Sequence, residues 1–175
     1  MSSTRSLLRL GVTELRRRPG TQRDVHVVTS LPDLGVTSAQ VPADADLVID
    51  ATLESIEGAV TISGTVEVPW VGECRRCLDP VAGTLVVDLA EVFEAHPTDG
   101  ETYPIEGEDV DLEPVIRDAA LLHLPLAPLC REDCPGPAPE AFPATVAEDD
   151  AGDEADAPAR DPRWAALDEL RLDED

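Results

Sequence analysis

Lysine is missing from all 175 residues, so each of the 13 permanently cationic side chains is an arginine. Met occurs once, while Ala, Asp, Pro and Arg abound. That combination reads as the imprint of a GC-rich genome or a salt-adapted cell, in which acidity serves solubility. Against 37 acidic residues the arginines leave a formal charge of -24. So acidic a surface excludes tight, nonspecific contact with phosphate backbones, where cationic side chains supply most of the affinity. Long apolar runs are also lacking. None approaches the roughly 20 residues that a membrane-spanning helix needs, and the N-terminus has no apolar stretch with a cleavage signal. The chain reads as cytoplasmic, without membrane contact. A nucleophile elbow, a phosphate-cradling glycine loop and an H-E-x-x-H helix are absent as well. No carboxylate pair is framed by apolar residues in a way that would tune it for acid catalysis. An enzyme is not the expected reading.

What charge there is lies unevenly. Residues 1–23 carry six arginines and one glutamate, residues 24–139 carry 23 acids and four arginines, and residues 140–175 carry 13 acids and three arginines. The cluster Arg16, Arg17, Arg18, with Arg5, Arg9 and Arg23, has two readings. Guanidinium forks suit bidentate phosphate contacts, so this arm could touch RNA. The same arm could pair with the acidic body behind it, and composition favours that.

Cysteine is scarce but ordered: four residues, as Cys74-x-x-Cys77 and Cys130-x-x-x-Cys134. Two close pairs of soft ligands far apart in sequence can close one tetrahedral zinc site between two loops. Four reduced, partly buried thiols without metal are the alternative, and a redox pair is a third. Cys74 and Cys77 lie between strands, however, rather than opening a helix after a βαβ strand as redox motifs do. The three histidines, His26, His96 and His123, stand at no ligand spacing from one another. His96, at a strand end, could replace one cysteine, and His123 reads as a packing residue on a helix.

From Leu47 the hydrophobic period is two. Leu47, Ile49, Ala51 and Leu53 form one strand, and Val60, Ile62, Val66 and Val68 a second. Glu57-Gly58 turns between them, and a third strand runs from Val81 to Phe93. Gly64 interrupts the apolar face, marking a bulge or a sharp bend. Asp24–Thr29 reads as a further strand, Leu7–Leu15 as a short strand or a helical turn, and 31–45 as an irregular connection. Residues 96–110 read as a surface loop. Asp111 to His123 is the one long helix, with Asp111 as its cap, an apolar face that includes Leu122 and His123, and Pro125 ending it. Residues 138–159 are too rich in Pro, Ala and acid to form a core and are expected to be disordered. Asp161-Pro162 then opens a short helix with Trp164, Leu167 and Leu170 at helical spacing, able to dock in cis or on a partner.

The segments Leu15-Arg16-Arg17-Arg18-Pro19-Gly20, Gly72-Glu73-Cys74-Arg75-Arg76-Cys77-Leu78-Asp79-Pro80, Leu124 to Cys134 and Asp161-Pro162-Arg163-Trp164 recur in an order and spacing that resembles the YceD family, the large ribosomal RNA subunit accumulation proteins, in its actinobacterial form. The resemblance implies a role in accumulation or maturation of large-subunit ribosomal RNA, with no catalytic residue set to carry over. It implies a suspected metal site at Cys74, Cys77, Cys130 and Cys134. Relatives that continue with a Cys-Pro-x-Cys-Gly element differ from this chain, which has alanines there.

The expected architecture is α+β and strand-dominated: a bent antiparallel sheet or partial barrel with one packed helix, an acidic disordered linker and a short C-terminal helix. Its divisions are a basic arm (1–23), a β-rich domain (24–137), the linker (138–159) and the helix (160–175). The expected function is a noncatalytic ribosome-assembly factor with one structural zinc, bound to large-subunit ribosomal RNA or to a basic ribosomal protein. The alternative is a zinc-binding adaptor that docks other proteins through its acidic surface and through Trp164, Leu167 and Leu170.

Overall fold

Period-two alternation builds the centre of the molecule. The computed structural model describes residues 7–141; Arg5, most of the acidic linker and the segment carrying Trp164, Leu167 and Leu170 lie outside them. Strand β1 (Arg9–Gly11) is followed by one helical turn, α1 (Thr13–Arg16). Then come β2 (Gln22–Thr29), the two-residue strands β3 (Gly35–Val36) and β4 (Ala39–Gln40), β5 (Leu47–Ile56), β6 (Ala59–Glu73) and β7 (Pro80–Glu94). Strands β8 (Tyr103–Glu106) and β9 (Asp109–Asp111) lead directly into helix α2 (Leu112–His123).

Strands β2, β5, β6 and β7 pair antiparallel in that spatial order. β7 then pairs β8 in parallel, and β8–β9 and β9–β1 continue antiparallel. The sheet curls into an open half-barrel. Across its mouth the Arg23 guanidinium of β2 donates to the Gly11 carbonyl of β1 at 2.8 Å. The inward residues of the meander, among them Leu47, Ile49, Leu53, Val60, Ile62 and Phe93, are almost wholly buried. Helix α2 closes the core with Leu112, Val115, Ile116 and Ala120.

The punctuation acts as its chemistry demands. Glu57-Gly58 is a two-residue hairpin loop, with Gly58 at φ +82°. Asp111 caps α2 by accepting from the Glu113 N–H at 3.0 Å. Leu124, ahead of Pro125, leaves the helix at ψ 135°, the extended geometry that a following proline imposes. At Gly64 the ladders to β5 and β7 run through without slipping, with Ala51 and Leu89 opposite it. Gly64 therefore marks no bulge. A Cβ there would lie 2.2 Å from the Asp50 carbonyl oxygen, so the position is a close approach of two backbones.

Three expectations need correction. Residues 96–110 are not simply a surface loop: β8 and β9 form a hairpin that buries Ile105 and Val110, held by β7 on one side and β1 on the other. Neighbouring strands decide its structure, which a short acidic stretch does not reveal by itself. The boundary expected at residue 23 is no boundary of the core, because Leu8, Val12 and Leu15 are buried in it. Finally, Leu122 and His123 face solvent, and the His123 ring bonds to the Ala119 carbonyl at 2.8 Å.

Candidate metal centre

Strands β6 and β7 outrun β5. β5 covers β6 up to Glu67, and the short β4 pairs only with Val71 and Gly72 beyond it. The result is a two-stranded arm, in register down to Glu73 opposite Pro80, whose tip is the turn 74–79. The Cys74 N–H donates to the Asp79 carbonyl at 2.8 Å and the Leu78 N–H to the Cys74 carbonyl at 2.9 Å. Leu78 is held at φ +65°, a conformation that costs a non-glycine residue about 1–2 kcal/mol.

The second cysteine pair is delivered by the chain after α2. Pro125 turns that chain across the sheet, where its carbonyl accepts from Ser38 Oγ at 2.8 Å. The Pro128 carbonyl accepts from the Arg75 N–H at 2.8 Å. Arg76 Nη1 reaches the carbonyls of Glu132 and Cys134, both at 3.0 Å. Main-chain contacts thus bring the two segments together before any sulfur is considered. Arg76 was legible in the sequence only as a charge between two cysteines, with nothing to signal its role.

All four Sγ atoms lie within 4.8 Å of one another. Cys74 and Cys134 are 3.8 Å apart, and Cys77 and Cys130 are 3.7 Å apart. Sulfurs about 2.3 Å from a tetrahedral zinc are separated by about 3.8 Å, so these spacings fit. Disulfides they are not, since a bonded pair would stand near 2.05 Å. Cys74 and Cys134 are buried, while Cys130 faces solvent and Cys77 is half-buried. Among the described residues this is the one group of His, Cys, Asp and Glu atoms placed to hold a metal, and His96 is not part of it.

The electrostatics suit a cation. Backbone N–H groups of Cys77 and Cys130, aimed at the Cys74 sulfur, pull its thiol down to about 6 against the opposing effect of burial. An N–H of Asp79 favours the Cys77 thiolate, but desolvation and the hydrogen bond with Cys74 push that thiol up overall. Cys130 is raised chiefly by its hydrogen bond with Cys134 and then by desolvation. The Cys74 thiolate forms readily, while Cys77 and Cys130 hold their protons more tightly than an ordinary thiol. A divalent ion at the centre would reverse that balance and favour four thiolates.

The family model described as large ribosomal RNA subunit accumulation protein YceD matches residues 62–171, both cysteine pairs included. This chain belongs to the YceD family. An uncharacterized protein of Mycobacterium tuberculosis is 38% identical over 174 residues, covering 94% of this chain and 82% of the relative. An uncharacterized protein of Mycobacterium leprae is 36% identical over 91% of this chain and 75% of its own length. The uncharacterized protein YlbN of Bacillus subtilis is 29% identical over 66% of each chain. No solved structure matches the chain.

The three candidate arginines of this YceD-family chain are not part of the cysteine cluster. Arg16 lies on α1, and Arg17 and Arg18 just follow it, all exposed. Arg17 pairs with Glu14 at 2.8 Å. Arg9 is taken up by Glu106 at 2.8 Å and Asp109 at 3.1 Å, and Arg23 by the Gly11 carbonyl. Trp164, Leu167 and Leu170 lie outside the described residues. Among the described residues no helix is long and apolar enough to cross a membrane.

Proposed function

We propose that this protein is a noncatalytic factor in the accumulation of large-subunit ribosomal RNA, and that Cys74, Cys77, Cys130 and Cys134 hold one structural zinc. Membership of the YceD family carries the first half. The second half rests on four soft donors with two sulfur–sulfur separations of 3.7 and 3.8 Å. Zinc there supplies a cross-link between the tip of the β6–β7 arm and the segment after α2. With cysteine at all four corners, no coordination position is left for substrate or water, which favours a structural role over a catalytic one. The factor would act in the cytoplasm.

Arg16 and Arg18, exposed at the N-terminal end of the body, are the proposed contacts to ribosomal RNA, with Arg17 beside them. RNA contact of this kind weakens steeply with salt, and replacing the three arginines by alanine should flatten that dependence. The test of function is the ratio of large- to small-subunit ribosomal RNA in cells lacking the protein. The ratio should fall and recover when the wild-type chain is restored; an unchanged ratio contradicts the proposal.

A further inference from the structure

Four strands turn toward solvent a face that nothing among the described residues covers. On β2, β5, β6 and β7 one set of alternating residues fills the core. The other set points outward: even numbers 22–28, 48–54 and 86–92, and odd numbers 61–67. Cross-strand register orders this face into rows. Val28 stands opposite Val48, Val48 opposite Glu67, and Glu67 opposite Val86. The adjacent row runs His26, Asp50, Thr65, Asp88. Val28 is 45% exposed and Val86 is 65% exposed. Thr61, Ser63 and Thr65 give the centre of the face short side chains, so a partner can approach the backbone closely.

The charge on this face is of one sign apart from the His26 ring. No arginine stands at any outward position of the four strands, whereas Asp24, Asp50, Glu54, Glu67 and Asp88 all do. Elsewhere some acids meet arginines: Glu106 and Asp109 meet Arg9, and Glu113 meets Arg117 at 3.0 Å. Here Asp24 accepts from Thr52 at 2.9 Å, Glu54 from Gln22 at 3.0 Å, and Asp50 meets the His26 ring at 2.6 Å. We propose that this outer face docks a basic polypeptide segment, with its apolar side chains on the row Val28, Val48, Val86 and its lysines or arginines over Asp50, Glu67 and Asp88.

Like charge disfavours the other occupants. A nucleic acid or an anionic membrane would set phosphates against carboxylates, and a second copy of this chain would set acid on acid. The inference rests on the proposed assembly role only for the source of the partner. The binding test involves no ribosomal RNA, so either can fail alone.

The test is an amide-shift titration of the full, isotope-labelled chain at 0.15 M salt with a synthetic amphipathic peptide of leucine and lysine. Shifts should be confined to the outward residues of β2, β5, β6 and β7. Because Val86 is largely exposed, Val86→Ser spares the core, and it should weaken binding roughly tenfold, the order expected for losing one buried valine contact. Asp50→Asn with Asp88→Asn should weaken binding and flatten its salt dependence. Three results would overturn the proposal: shifts spread equally over the acids of β8, β9 and α2, unchanged binding in Val86→Ser, or the same amides shifting with polyuridylate.

Discussion

The guanidinium of Arg76 donates to the main-chain carbonyls of Glu132 and Cys134, each at 3.0 Å. One side chain between the first two cysteines therefore holds the backbone that presents the last one. The clamp uses backbone oxygens and no sulfur, so it forms without a metal and pre-positions Cys134 for coordination.

Arg76→Ala should accordingly leave the site able to bind zinc but bind it less tightly. Two charge-assisted hydrogen bonds at an exposed position are worth about 1 kcal/mol after solvent screening. That corresponds to roughly a fivefold loss of affinity, read by competition with a chromophoric chelator. Arg76→Lys should recover only part of it, since an ammonium lacks the planar fork. Unchanged affinity in Arg76→Ala would show that the sulfurs alone organise the centre.

The two sides of the cluster should separate once metal is removed. Cys74 is wholly buried and Cys130 exposed. In excess chelator, Cys74→Ser buries a hydroxyl and should cost about 1–3 kcal/mol in denaturant unfolding. Cys130→Ser should stay within about 0.5 kcal/mol of the parent. Equal losses would mean that the burial difference has no energetic consequence.

Gly64 offers a test of the half-barrel itself. An added Cβ would meet the Asp50 carbonyl oxygen at 2.2 Å and the Ala51 Cα at 2.5 Å, so two backbones would have to move apart. Gly64→Ala should lose at least the ~3 kcal/mol at the upper end of overpacking costs. At Gly58 no atom lies within 4 Å, and Gly58→Ala should lose about 1 kcal/mol from its left-handed φ alone. Thermal or urea unfolding ranks the two; equal costs would contradict the close approach.

Those contrasts show what the sequence disclosed and what it withheld. The meander was legible because Leu47 to Leu53 and Val60 to Val68 alternate with period two, broken only at Gly64, and the two faces differ in polarity. Helix α2 announced itself through Asp111 and Pro125, residues whose effects are local. The cysteine centre was legible from spacing, because ligand number and type are properties of the residues themselves. The β8–β9 hairpin was not, because Ile105 and Val110 are buried by β7 and β1, which are distant in sequence. For the same reason Leu8, Val12 and Leu15 passed for part of an arm: their burial depends on strands almost a hundred residues away.

Tyr103 is the single tyrosine of the chain, so no second phenol overlaps its titration. Its hydroxyl donates to Asp118 Oδ2 at 2.9 Å, and its ring lies 5.8 Å from that of Phe93. Desolvation first, and then the Asp118 carboxylate, hold its proton above the usual range. In the folded chain, ultraviolet titration should therefore show phenolate forming above the ordinary value of about 10. The folded pKa is the raised one, so this contribution to stability is complete below about pH 10 and is lost as pH rises toward the folded value. Tyr103→Phe should remove that alkaline dependence and cost about 1 kcal/mol at neutral pH. A phenol that titrates normally in the native protein would contradict the contact.

The most direct test of the metal centre is to measure zinc content and accessible thiols together, on protein purified without chelator. One zinc per chain with all four thiols protected is the predicted result, and a chelator should release the metal and expose the thiols together. Protein without metal and with four freely titrating thiols would contradict the structural zinc and leave the main-chain clamp of Arg76 as the link between the two cysteine segments.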